Sequence, residues 1–180
     1  MKCPACRTNH ELKISELQAG FMVRKCIECD GLWIPSFQYW KWFRKQANIL
    51  PEKPIEVENE NPDSKHGKFC PECSTYLANR TIGHGLNFTI DHCFNCKGYW
   101  LDKGEWEALN KKDLHDELHL IFTEHWQTEV KQSQAERSQE NAIIKALGDN
   151  DYNKARLFKE WLCQHEKAGV ILNYITQSRT

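Results

Sequence analysis

No stretch of the 180-residue chain approaches the roughly twenty consecutive apolar residues that a membrane-spanning helix needs, so no role inside a bilayer is expected. Net charge is equally scarce: 24 Lys and Arg stand against 25 Asp and Glu, a formal −1. A chain so balanced is not a general polyanion binder, and any nucleic-acid contact has to be local. Residues 1–50 offer one such place, with eight Lys/Arg against four Asp/Glu. Cys3 leaves no room ahead of it for a secretory leader, so none is expected. Cysteine itself is not scarce. Eight of the nine cysteines fall in C-x-x-C pairs and only Cys163 stands alone, which fits metal-bound thiolates in a reducing cytoplasm better than disulfides.

The pairs are ordered. Cys70 and Cys73 are followed, after nineteen residues, by Cys93 and Cys96; Cys3 and Cys6 are followed, after nineteen residues, by Cys26 and Cys29. This spacing is that of a zinc site. Each C-x-x-C turn aims two sulfurs at one centre, and two turns complete a tetrahedron with Zn–S arms of about 2.3 Å. Four thiolates leave no position for water, so two structural zinc ions are expected, and no catalytic one. Every cysteine of the first set lies 67 positions before its counterpart, and Pro4, Phe21, Gly31 and Trp33 match Pro71, Phe88, Gly98 and Trp100. The chain is internally duplicated.

These residues resemble the bacterial TFIIB-type zinc-ribbon family, with its C-P-x-C, a hairpin, then C-x-x-C-x-G-x-W-L-D-x-G-E. The second copy carries the pattern through Cys70, Pro71, Cys73, Cys93, Cys96, Gly98, Trp100, Leu101, Asp102, Gly104 and Glu105. The first follows it to Trp33 and then departs, with Pro35, Phe37 and Gln38 where the family has Asp, Gly and Glu. The resemblance implies a metal-stabilised module linked by name to transcription, with no agreed activity.

The expected fold class is small α+β, metal-stabilised: two tandem zinc ribbons built on β-hairpin knuckles, then a helical C-terminal region. The expected divisions are 1–50, the first ribbon with an aromatic helix; 51–67, an acidic linker with three prolines; 68–110, the second ribbon; and 111–180, helical. Strands are expected at Phe21–Lys25 and Asn87–His92, with a turn at Gly20 and others near Gly83 and Gly85. Gly31 is expected at positive φ so that backbone N–H groups face the sulfurs. As a flexible coil the linker would span roughly 20–25 Å, so the ribbons need not touch.

After Ser36, a plausible helix cap, come Phe37, Tyr39, Trp40, Trp42 and Phe43, then Arg44 and Lys45. A helix aromatic nearly all round is usually buried, and packing of Trp33, Phe37, Trp40 and their neighbours on the ribbon or on the other domain is the first reading. The alternatives are a partner surface at Trp40, Trp42, Phe43, Arg44 and Lys45, or base stacking beside phosphate contacts. Asp102 followed three residues later by Glu105 reads as a capping box. A long helix is expected over residues 103–132, and Gly148 as a helix end. A last helix through Lys167 is expected to bury Ala155, Leu157, Phe158, Trp161 and Leu162, with Cys163 a buried thiol and Val170–Ile175 a final apolar run. His115 and His119 have the spacing of a zinc-protease pair but lack the glutamate after the first histidine, and read as surface histidines.

The functional expectation is a non-catalytic zinc-binding module docking on a larger cytoplasmic assembly, RNA polymerase or ribosome, without membrane or small-molecule substrate. The alternative is direct RNA or DNA binding by the first ribbon and its aromatic-basic tail. A third reading, a hydrolase or nuclease at Asp102, Glu105, His115 and His119, lacks the open metal position that assisted hydrolysis uses.

Overall fold

The computed structural model describes residues 1–6, 10–46 and 67–177. The expected linker thus lies, apart from Gly67, outside the described residues. Strands β1 (Leu12–Gln18), β2 (Phe21–Cys26) and β3 (Leu32–Ile34) precede helix α1 (Ser36–Gln46). The second repeat supplies β4 (Ala78–Gly83), β5 (Leu86–His92) and β6 (Tyr99–Leu101), followed by α2 (Glu105–Lys111), α3 (Leu118–Ile121), α4 (Glu124–Leu147), α5 (Asp149–Cys163) and α6 (Ala168–Gln177). No described helix is long and apolar enough to cross a membrane.

The six strands form one antiparallel sheet in the order β1-β2-β3-β6-β5-β4. The ribbons, which linker length alone would allow to stand apart, are therefore joined edge to edge. The join is symmetric: Trp33 sits opposite Trp100, flanked by Leu32 opposite Leu101 and Ile34 opposite Tyr99. Because the two tryptophans are 67 positions apart, the pairing relates the repeats by a local two-fold. Pairing β3 with β6 also removes two free strand edges that each ribbon would otherwise expose.

Alternation along β3 and β6 assigns the two faces of the sheet. Leu32, Ile34, Tyr99 and Leu101 point into a core with Phe21, Val23, Phe88 and Ile90, covered by Tyr39 and Trp42 of α1, Trp106 and Leu109 of α2, Leu118 and Ile121 of α3, and Trp126 and Val130 of α4. Trp33 and Trp100 point the other way, into a smaller cluster with Leu12, Leu77 and the cysteines. Trp42 stacks on Phe21 at 4.7 Å and meets Trp106 edge-on at 5.7 Å. The Trp126 indole N–H donates to Ile82 O at 2.8 Å, pinning the start of α4 to β4.

The long helix expected over 103–132 is three helices. Asp113 has φ 58, a left-handed conformation that ends α2, and Leu114 N–H turns back to Leu109 O at 3.0 Å. The apolar spacing that suggested one helix comes from separate elements packing on the same core.

The described residues divide into two compact units, Met1–Lys131 and Gln132–Thr180. In the second unit α4 continues through the polar segment 133–141 to Leu147. Gly148 closes it, its N–H bonded to Ile144 O at 2.8 Å, and opens α5. The expected burial there does not occur: of Ala155, Leu157, Phe158, Trp161 and Leu162, only Leu162 is buried, and Cys163 is exposed. The run Val170–Ile175 forms α6, which buries none of its residues.

Candidate metal centres

Each repeat brings two cysteine turns together because a hairpin returns the chain. In the first, Cys3 N–H bonds His10 O and Leu12 N–H bonds Met1 O, so the first knuckle is zipped onto the start of β1. In the second, Cys70 N–H bonds Thr75 O and Leu77 N–H bonds Lys68 O. The later knuckles close in parallel fashion, with Cys26 N–H to Gly31 O and Cys93 N–H to Gly98 O.

The result is two sets of four sulfurs, Cys3, Cys6, Cys26 and Cys29, and Cys70, Cys73, Cys93 and Cys96, each set lying within 4.8 Å of one another. Individual separations are 3.6 Å for Cys3–Cys29, 3.7 Å for Cys6–Cys26 and 3.6 Å for Cys73–Cys93. These are far beyond the roughly 2.05 Å of a disulfide. They match the edge of a tetrahedron whose arms are about 2.3 Å, which is about 3.8 Å. The sites fit zinc. Cys6 N–H and Cys96 N–H point at Cys3 Sγ and Cys93 Sγ at 3.3 Å, and Glu72 N–H at Cys70 Sγ at 3.4 Å, donating to charge on sulfur. Without a cation, burial raises the Cys3 thiol and holds Cys70 at about 11, while the Thr75 hydroxyl, 3.2 Å from Cys73 Sγ, draws that thiol down to about 5. A bound divalent ion deprotonates such thiols and cross-links the knuckles.

Gly31 and Gly98 do not have the positive φ expected of Gly31; Asp30 and Lys97, one position earlier, take it instead, both at φ 58. What the glycines supply is space. A Cβ on Gly31 would lie 2.3 Å from Trp100 Cζ2, and one on Gly98 would lie 2.4 Å from Trp33 Cζ2. Each repeat's glycine admits the other repeat's indole. The motif Gly-x-Trp, present twice, carried this signal, but it names no partner.

The residues flanking the second centre form a buried network that sequence reading missed. Lys68 Nζ, 3 % exposed, lies 2.6 Å from Asp91 Oδ2 and 2.9 Å from Asp102 Oδ2. Asp102 Oδ1 accepts from the Trp100 indole N–H at 2.8 Å, and Asp102 N–H donates to Glu105 Oε2 at 2.7 Å. The Glu105 half of the expected capping box is thus present, with Gly104 (φ 82) as the residue that opens α2.

The remaining candidates are dispersed. His115 packs on Trp42 and Trp106, and His119 against Tyr39, Trp40 and Phe43, with its Nδ1 2.9 Å from Tyr39 Oη. Neither is the free surface histidine expected. Among the described residues, only the two cysteine sets gather as a metal-ligating group. On α1, Trp42 is buried, Phe43 half-buried, and Phe37, Trp40, Lys41, Arg44 and Lys45 exposed. Trp42 therefore belongs to the core and not to any partner surface.

A family model described as a transcription factor zinc-finger matches residues 2–45 and again residues 69–112. Both segments are TFIIB-type zinc ribbons, in tandem. No curated protein and no solved structure matches the chain. Zinc ribbons of this type are held by structural metal, and here the two ribbons share one sheet.

Proposed function

We propose that the chain is a non-catalytic zinc-stabilised module that docks on a larger assembly of the cytoplasmic transcription or translation machinery through the outward face of α1. What supports this reading is a single stripe. Trp40 and Lys41 lie three and four residues after Phe37, and Arg44 lies four and three residues after them, so the four share one helical face, and all four are exposed. Phe37 is 67 % exposed. Arg44 Nε donates to Trp40 O at 3.1 Å, holding the guanidinium along the helix. Aromatics with an adjacent arginine are the residues that dominate protein interfaces. The second repeat's α2 has Glu105 and Glu107 in its first turn, so the stripe is a property of the first repeat alone.

A photo-crosslinker placed at Phe37 in the full chain, in cells, tests this. The expected product joins the chain to a protein subunit of RNA polymerase or of the ribosome, and Trp40→Ala with Arg44→Glu abolishes it. A chain that cross-links to nothing and sediments alone contradicts the reading.

The same stripe favours one other reading, direct binding of single-stranded RNA or DNA, since indole and phenyl faces stack on bases while Lys41, Arg44 and Lys45 meet phosphates. That reading requires affinity falling steeply with salt, and a salt-insensitive or absent interaction removes it.

A further inference from the structure

The two metal centres meet on the face of the sheet that carries Trp33 and Trp100. The cluster there holds eight buried residues, Cys3, Cys26, Cys70 and Cys93 with Leu12, Trp33, Leu77 and Trp100. Half of that cluster is metal ligands, two from each centre, so little else holds this face together.

Trp33 belongs to the first repeat but reaches both ligand turns of the second centre. Its ring lies against Gly98, and its N–H donates to Glu72 Oε1 at 3.1 Å. Gly98 O accepts the Cys93 N–H that closes one turn, at 3.0 Å, and Glu72 sits between Cys70 and Cys73 in the other. Trp100 returns part of this. It lies against Gly31, whose carbonyl accepts the Cys26 N–H at 2.9 Å, while its own N–H stays within the second repeat on Asp102. Ribbons of this size bury little apolar surface of their own, and in such modules metal binding and folding share one free energy. The turn Cys26–Cys29 leads directly into β3 and so places Trp33; the turn Cys93–Cys96 leads into β6 and places Trp100. Each closed centre thus completes part of the packing that holds the other closed.

We propose that the two centres load cooperatively: an ion held at either one raises the affinity of the other for zinc, through Trp33 and Trp100. Coupling between two sites is reciprocal, and about 5–150-fold is usual; with contacts at both turns of the second centre, about tenfold or more is expected here. The chain then passes between metal-free and two-zinc forms with little of the half-loaded form between them. The docking stripe on α1 plays no part in this.

Native mass spectrometry of the full reduced chain, half-saturated with zinc, tests this. Two equal, uncoupled sites would put about half of the chains in the one-zinc state, whereas tenfold coupling keeps that state below about a quarter. A one-zinc population of a quarter or more overturns the proposal. Cys6→Ser with Cys29→Ser disables the first centre; the zinc affinity of the second, read by competition with a chromophoric chelator, is expected to fall about tenfold or more. A smaller fall overturns the proposal as well. Glu72→Ala keeps all eight ligands and removes one contact between the repeats, so its one-zinc population is expected to rise above that of wild type. Glu28→Ala removes an exposed acid between Cys26 and Cys29 and, as the control, is expected to leave that population unmoved. No rise in the first variant, or an equal rise in the second, overturns the route through Trp33.

Discussion

The indole N–H of Trp33 donates to Glu72 Oε1 across 3.1 Å, so a side chain of the first repeat is held by a residue set between two ligands of the second metal site. Trp100, its two-fold counterpart, uses Asp102 of its own repeat at 2.8 Å. Counting 67 positions, Pro35 stands where Asp102 would be and Ala5 where Glu72 would be. The first repeat has no carboxylate at either equivalent position, and the second supplies the acceptor for Trp33.

Glu72→Ala should cost about 1 kcal/mol, the worth of a partly exposed hydrogen bond to a charged group, and Glu72→Gln should recover most of it. Urea midpoints of the zinc-loaded chain measure this. Equal midpoints for wild type and alanine variant would mean that water replaces the carboxylate at no cost.

Gly31→Ala and Gly98→Ala each force a methyl into an indole of the other repeat. Overpacking of this kind costs about 1–3 kcal/mol, and the local two-fold makes the two losses similar. If one variant were neutral, the indole facing it would have to be free to retreat.

Lys68 is the shared counter-ion of Asp91 and Asp102, so Lys68→Met should cost about 3–5 kcal/mol by leaving a buried and a half-buried carboxylate without their ammonium. Burial alone would lower the lysine pKa; hydrogen bonds and charge from Asp91 and Asp102 overcome it and raise the value. A raised folded-state pKa stabilises the fold below the ordinary lysine value of about 10.4, and that stability is lost as pH rises through the folded value. Denaturation followed from pH 8 to 11.5 should show a steeper alkaline loss in wild type than in Lys68→Met. Parallel curves would remove Lys68 as the source.

The ligands and the duplication were legible because metal geometry writes itself as fixed spacing: four sulfurs on two turns recur at the same offsets. Aromatic density on one short helix pointed to packing but not to the side chains that pack: Tyr39 and Trp42 are buried, whereas Phe37 and Trp40 are exposed. The joining of the ribbons was not legible, since β3 and β6 are three residues each and nothing in Leu32–Ile34 names a partner strand. Nor was the buried Lys68, which as an isolated lysine before Cys70 carries no pattern. In α5, apolar spacing predicted burial of Leu157, Phe158 and Trp161, yet all three are exposed, because spacing does not say what covers a face.

Trp42→Ala should cost about 3–5 kcal/mol, as large aromatic truncations in cores do, whereas Trp40→Ala on the outward side should stay within about 1 kcal/mol. Thermal unfolding of the two variants separates them. Comparable losses would place Trp40 in the core and remove it from the docking stripe.

Zinc K-edge X-ray absorption on the purified full chain, with metal content measured on the same sample, tests the central claim that two ions are enclosed by sulfur alone. The account predicts two zinc ions per chain, each with four sulfurs at about 2.3 Å and no lighter ligand. One ion per chain, or a nitrogen or oxygen at about 2.0–2.1 Å in place of a sulfur, would contradict it.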